Sequence, residues 1–150
     1  MRLMLTALLF ASAAPAATSD PLEQPPRCAD MRRLSDAANR TGSFQALFDE
    51  GFAPPLLYGC RRADGGYRCW RNVTPNEVTP ESYGTIIRDC LPGATMEVEE
   101  AREGFRPDTA YVVRHGRLKV SLGDYCTSIC RAGRGMSINF TIDLDRPLLD

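Results

Sequence analysis

The sequence predicts an α+β domain: two or three helices packed on one face of an antiparallel sheet of four to six strands, stapled by disulfides. Three observations carry that expectation. Apolar residues recur at helical spacing up to about residue 91 and alternate with polar ones in the later part of the chain. Two segments carry hairpin signals, Asp64-Gly65 and His115-Gly116. Six cysteines, at 28, 60, 69, 90, 126 and 130, form an even set in a chain of 150 residues, which in an exported protein reads as a disulfide framework.

Export is expected from the first residues, MRLMLTALLFASAAPAATSD. Arg2 precedes an apolar run from Leu3 to Phe10, and Ala14-Pro15-Ala16 supplies a small-residue cleavage site. Residues 1–16 therefore read as a signal peptide whose apolar core is too short to span a bilayer. No later stretch is long and apolar enough to be a span, and no cysteine near the cleavage site invites a lipid. The expected address is the periplasm or the medium. Lys119 is the only lysine among 18 basic residues, a bias that suggests a bacterial source.

The formal net charge is −1, and −2 once Arg2 leaves with the signal peptide. Such a chain has no overall field to draw in nucleic acid or an anionic membrane. Residues 17–27, with their prolines, read as an extended lead-in, and residues 28–150 as a single disulfide-stabilised α+β domain.

Helical spacing of Met31, Leu34 and Ala38 predicts a helix over Ala29–Arg40, interrupted by Gly42. Ser43 can cap a second short helix that carries Phe44, Leu47 and Phe48 and stops at Gly51. Pro54-Pro55 then imposes an extended entry into YGCRRADGGYRCW, residues 58 to 70. With Asp64-Gly65 as the central turn residues, Cys60 falls opposite Cys69 at a non-hydrogen-bonded pair, where side chains approach most closely. A Cys60–Cys69 bridge follows. The same register puts Tyr58, Cys60, Arg62, Tyr67 and Cys69 on one face, and Leu57, Arg61, Arg68 and Trp70 on the other.

Thr79-Pro80 is a cap-plus-proline start for the clearest helix, whose stripe is Tyr83, Ile86, Ile87, Cys90 and Leu91 and whose stop is Pro92-Gly93. An echo of that start, Val73-Thr-Pro, precedes it. Met96 and Val98 alternate with Glu97 and Glu99. Placing His115-Gly116 at the tip of a second hairpin sets Val113 against Leu118 and Tyr111 against Val120. Met136 to Leu144 alternates without a break, as a half-buried strand does.

Two further bridges are expected, with Cys28 and Cys90 taking Cys126 and Cys130 in some order. The alternative is Cys28–Cys90 with Cys126–Cys130. Zinc is disfavoured as the role of Cys126 and Cys130, because two more donors are needed and His115 is the only histidine. Asp143, Asp145 and Asp150 are spaced too loosely for a calcium loop. Neither a metal nor a cofactor is expected.

The function favoured by these residues is binding of a protein partner in the cell envelope or outside the cell, as an inhibitor, immunity-type or envelope accessory protein. Its contact residues would be Arg61, Arg62, Tyr67, Arg68 and Trp70, an aromatic and cationic hairpin on a rigid scaffold. The competing expectation is a small secreted hydrolase, ribonuclease-like, with His115 as acid, Glu97 or Glu99 as base, and Arg114 on the phosphate charge.

Overall fold

A computed structural model describes residues 27–54, 59–73, 79–100, 109–125 and 134–149. Helix α1 spans Cys28–Arg40 and buries Met31, Leu34 and Ala38 on the stripe their spacing predicts. Gly42, at φ +61°, lets the chain leave it in the left-handed conformation that glycine adopts freely. Helix α2 is one short turn, Gln45–Asp49, with the Ser43 hydroxyl accepting from the Gln45 amide at 3.0 Å. Phe44, Leu47 and Phe48 are all buried around it.

Helix α3, Pro80–Cys90, starts as its sequence demands. Thr79 is the N-cap and Pro80 occupies the first turn. The Thr79 hydroxyl accepts from the Ser82 amide, and the Ser82 hydroxyl accepts from the Thr79 amide, a reciprocal capping box. Tyr83, Ile87, Cys90 and Leu91 are buried, while Ile86 is half-buried at the margin of the stripe.

Six strands form one antiparallel sheet: β1 (Cys60–Ala63), β2 (Gly66–Val73), β3 (Thr95–Glu100), β4 (Thr109–His115), β5 (Leu118–Tyr125) and β6 (Arg134–Ile142). Their spatial order is β1-β2-β6-β5-β4-β3. After the β1–β2 hairpin, α3 carries the chain to the far edge. The strands then step back from β3 to β6, which inserts between β5 and β2.

Directly opposed residues share a face, so the register defines rows across the sheet. One row reads Arg62, Tyr67, Phe140, Val120, Val113, Met96, and the next reads Cys60, Cys69, Ile138, Leu122, Tyr111, Val98. The centres of both rows pack against the helices and make the core. The predicted α+β class, with three helices on an antiparallel sheet, is what the chain adopts.

Three expectations need correction. The second hairpin turns at Gly116-Arg117, not His115-Gly116: Val113 opposes Val120, Tyr111 opposes Leu122, and His115 itself opposes Leu118. Gly116 stands first in the turn at φ +56°, and any Cβ there would fall 2.0 Å from Asn39 Oδ1. The Asn39 amide side chain fastens that turn, accepting from the Arg117 N–H at 2.8 Å and donating to the His115 carbonyl at 3.0 Å. Each partner moves by two residues, the period of a strand, so the faces expected for these side chains are retained. The last strand ends at Ile142, and Leu144 lies exposed beyond it.

The third correction concerns sulfur. Cys28 bonds Cys90, joining the first turn of α1 to the last turn of α3, with Cα atoms 4.8 Å apart. The first-named pairing, in which these two cysteines reach Cys126 and Cys130, is overturned in favour of the named alternative for Cys28 and Cys90, because α1 and α3 lie side by side and each turns its cysteine to the other. Cys60 bonds Cys69 across the first hairpin, in the register derived from the Asp-Gly turn. No described cysteine is free, and Cys126 and Cys130 lie outside the described residues. Both bridges fit an exported protein. No helix among the described residues is long and apolar enough to cross a membrane.

Candidate functional site

The face of the sheet turned away from the helices carries the other set of alternate residues. One of its rows runs Arg61, Arg68, Asn139, Ser121, Val112, Glu97. It is cationic at the β1–β2 edge, neutral in the middle and anionic at the β3 edge.

The hairpin sets the cationic end. Asp64 and Gly65 have φ of +51° and +75°, the double positive φ of a type I′ turn, whose twist matches the flanking strands. Arg61 and Arg68 then stand directly opposite each other on this face. Trp70, two residues further on the same face, opposes Ser137 and remains 39% exposed. Its ring lies on Gly59. A Cβ at Gly59 would sit 2.6 Å from the ring, and φ there is +67°, so backbone conformation and close approach both require glycine. The Arg61 guanidinium is 5.8 Å from the Trp70 ring centroid, within cation–π range. Arg68 reaches the Asp64 carboxylate at 3.5 Å.

Arg62 and Tyr67, grouped with these residues as expected contacts, lie on the opposite face, as the register predicts, and Leu57 and Tyr58 lie outside the described residues. The Tyr67 ring is buried among Phe44, Phe48 and Phe52, at centroid distances of 5.7, 4.9 and 6.2 Å. Its hydroxyl donates to the Phe52 carbonyl at 2.9 Å. Burial pushes the phenol up to about 12, against the opposing pull of Arg62 and Arg33. Arg62 stacks on Phe48 at 4.6 Å and donates to the Phe48 carbonyl. Both residues fasten α2 and the segment after it to the hairpin. Arg62 keeps an exposed side chain but on the helix-covered side, so the group left on the outer face narrows to Arg61, Arg68 and Trp70.

The cations at the other end of the face are already engaged. Arg114 donates to Glu97 at 2.9 Å, to Glu99 at 2.5 Å and to Asp143 at 3.1 Å, with its side chain only 11% exposed. Lys119 meets Glu99 at 3.2 Å. Burial alone would raise the Glu99 carboxyl, but hydrogen bonds from Lys119 and Arg114 outweigh it and hold the group below the usual carboxylate range.

His115 follows Arg114 on one strand, so its side chain points to the helix-covered face. Its Nδ1 is 2.6 Å from the Ser35 hydroxyl and its Nε2 is 3.0 Å from the Pro92 carbonyl. A carbonyl only accepts, so Nε2 carries the hydrogen, and in the neutral ring Nδ1 accepts from Ser35. The hydrolase set of His115, Arg114, Glu97 and Glu99 is thus divided between two faces of the sheet. Among the described residues, no group of three or more histidine, cysteine or acidic side chains is placed to hold a metal.

Gly59, the platform under Trp70, escaped the sequence reading, as did the polar strip of Ser137, Asn139 and Ser121. Among the described residues, the buried Ser137 hydroxyl has no hydrogen-bond partner. The alternation of Ser137, Asn139 and Thr141 along the last strand was a legible signal for that strip. Nothing in the sequence marks a glycine as the seat of a ring beside it in the sheet.

The fold and its bridges define the class: a disulfide-linked α+β domain with a single six-stranded sheet. No protein-family model matches the chain, and comparison with curated proteins and with solved structures returns no significant similarity.

Proposed function

We propose that this chain is an exported protein, periplasmic or secreted, that acts by binding a protein partner in the cell envelope or outside the cell. Residues 1–16 act as a removable leader, residues 17–27 as an extended lead-in and residues 28–150 as one domain. An inhibitor, an immunity-type protein and an envelope accessory protein all fit this description.

One observation carries the reading. Arg61, Arg68 and Trp70 stand exposed together on a hairpin cross-linked by Cys60–Cys69, whereas Arg114 and Lys119 on the same face are held by carboxylates. Arginine and tryptophan are the residue types that most often dominate interface energies, and a braced hairpin loses little freedom on binding.

The test is capture from envelope extract on immobilised oxidised protein, read by mass spectrometry. The wild type should retain a partner that the R61E/R68E/W70A variant loses while keeping its melting temperature. Equal capture by both proteins would remove this hairpin as the contact.

A further inference from the structure

We infer that Arg61, Arg68 and Trp70 recognise a short acidic segment of the partner, one that presents carboxylates beside an apolar or aromatic side chain. This rests on the binding reading above and adds the chemistry of the bound segment.

The charge arrangement on the hairpin points to an anion. Arg61 and Arg68 are directly opposed across β1 and β2, and like charges at that spacing repel. Among the described residues, the counter-charge beside them is Asp64, 3.5 Å from Arg68 and with its side chain 88% exposed. An exposed pair of that kind contributes little. The site therefore keeps a positive field that a carboxylate, accepting in bidentate fashion from a guanidinium, would satisfy. Trp70 supplies an apolar surface already fixed against Gly59, next to the charge.

The rest of the face limits what that anion can be. The row that begins with Arg61 ends with Glu97, and Glu99 lies beside it on β3. The five inter-strand spacings separate these ends by roughly 24 Å. A polyanion such as a nucleic acid, or an anionic bilayer laid over this face, would find Arg114 and Lys119, the cations at its far end, already held by Glu97, Glu99 and Asp143. The chain's formal net charge of −1 gives such partners no compensating attraction. A few carboxylates confined to the hairpin edge need no cation beyond it.

Trp70 is the only tryptophan, so tryptophan emission excited beyond the tyrosine absorption band reports on this site alone. The probe is a short capped peptide with aspartates on both sides of a phenylalanine, titrated into the oxidised mature chain. A saturable change in Trp70 emission is expected, weakening as salt rises. The R61E/R68E variant should lose about tenfold or more in affinity. R61Q/R68Q should lose binding while holding or raising the melting temperature, since it removes a repulsion; it serves if charge reversal disturbs folding. An analogue peptide with asparagine for aspartate should give no change.

The absence of a saturable change, or one that both variants retain, would overturn the inference. Tighter binding of a single-stranded oligonucleotide or of phosphatidylglycerol vesicles than of the peptide would overturn it too. The two readings fail separately. If the hairpin captures a partner from envelope extract but the acidic peptide neither binds nor competes, the acidic-segment inference falls and the binding reading stands. If the R61E/R68E/W70A variant captures as well as the wild type, the binding reading itself falls.

Discussion

His115 takes its role from a single step along a strand. Its neighbour Arg114 faces the carboxylates of Glu97, Glu99 and Asp143, while the imidazole reaches the other way to Ser35 on α1 and to the Pro92 carbonyl after α3. It is a fastening between two helices and the sheet. Replacing it with alanine leaves a hydroxyl and a carbonyl without their partner. We expect His115→Ala to lower unfolding free energy by about 1–3 kcal/mol in urea denaturation, and unaltered stability would contradict the fastening role. Tyr67 offers a second reading at this scale. Its phenol lies at about 12 in the folded chain against 10.0 for an unperturbed tyrosine. A raised phenol contributes stability that is fully present below pH 10 and is lost as pH climbs from there towards 12. Tyr67 should therefore ionise late, well above pH 10, in an absorbance titration. Tyr67→Phe should remove that late step and flatten the loss of stability above pH 10. A late step that persists in the variant would assign it to another residue.

At the scale of elements, the first hairpin was legible residue by residue because its turn chemistry dictates the register. Asp64 and Gly65 adopt the positive φ that an Asp-Gly turn needs, and Cys60 meets Cys69 as a consequence. The second hairpin was legible only to its faces. Glycine occupies the first central place in that turn, and the deciding bonds come from Asn39 on a helix remote in sequence. The same reason left the Cys28–Cys90 bridge as an alternative only: the stripe of α3 shows that Cys90 points inward, but not that α1 lies where it points. The two described bridges should differ in weight. Cys28 and Cys90 are 62 residues apart and Cys60 and Cys69 only 9. In the chain-entropy model, opening the longer loop costs roughly 4 kcal/mol and the shorter roughly 2 to 3. Denaturant unfolding of C28A/C90A and C60A/C69A should rank them in that order, and the reverse order would show that native packing around the hairpin outweighs loop closure.

For the whole molecule, alternation along the strands was enough to sort one face for the core and one for the outside, and the helical stripes supplied the layer that covers the first. The site was only partly legible. Parity separated Arg61, Arg68 and Trp70 from Arg62 and Tyr67, but the sequence gives no sign that a phenylalanine cluster from α2 and the segment after it takes up the second pair. A platform such as Gly59 under Trp70 exists only once strand and entry loop are placed together. Sulfur decides the larger question, because bridges such as Cys28–Cys90 and Cys60–Cys69 persist in oxidising compartments and are rare in a reducing cytosol. With four cysteines joined, Cys126 and Cys130 have only each other within the chain, and an exported protein should carry no thiol. The most direct measurement is the intact mass, without reductant, of the protein recovered from periplasm or medium. A chain that begins near Ala17 and gains roughly 6 Da on reduction, as three disulfides require, is the expected result. A full-length chain recovered from the cytosol with Met1 in place and its thiols free would contradict it.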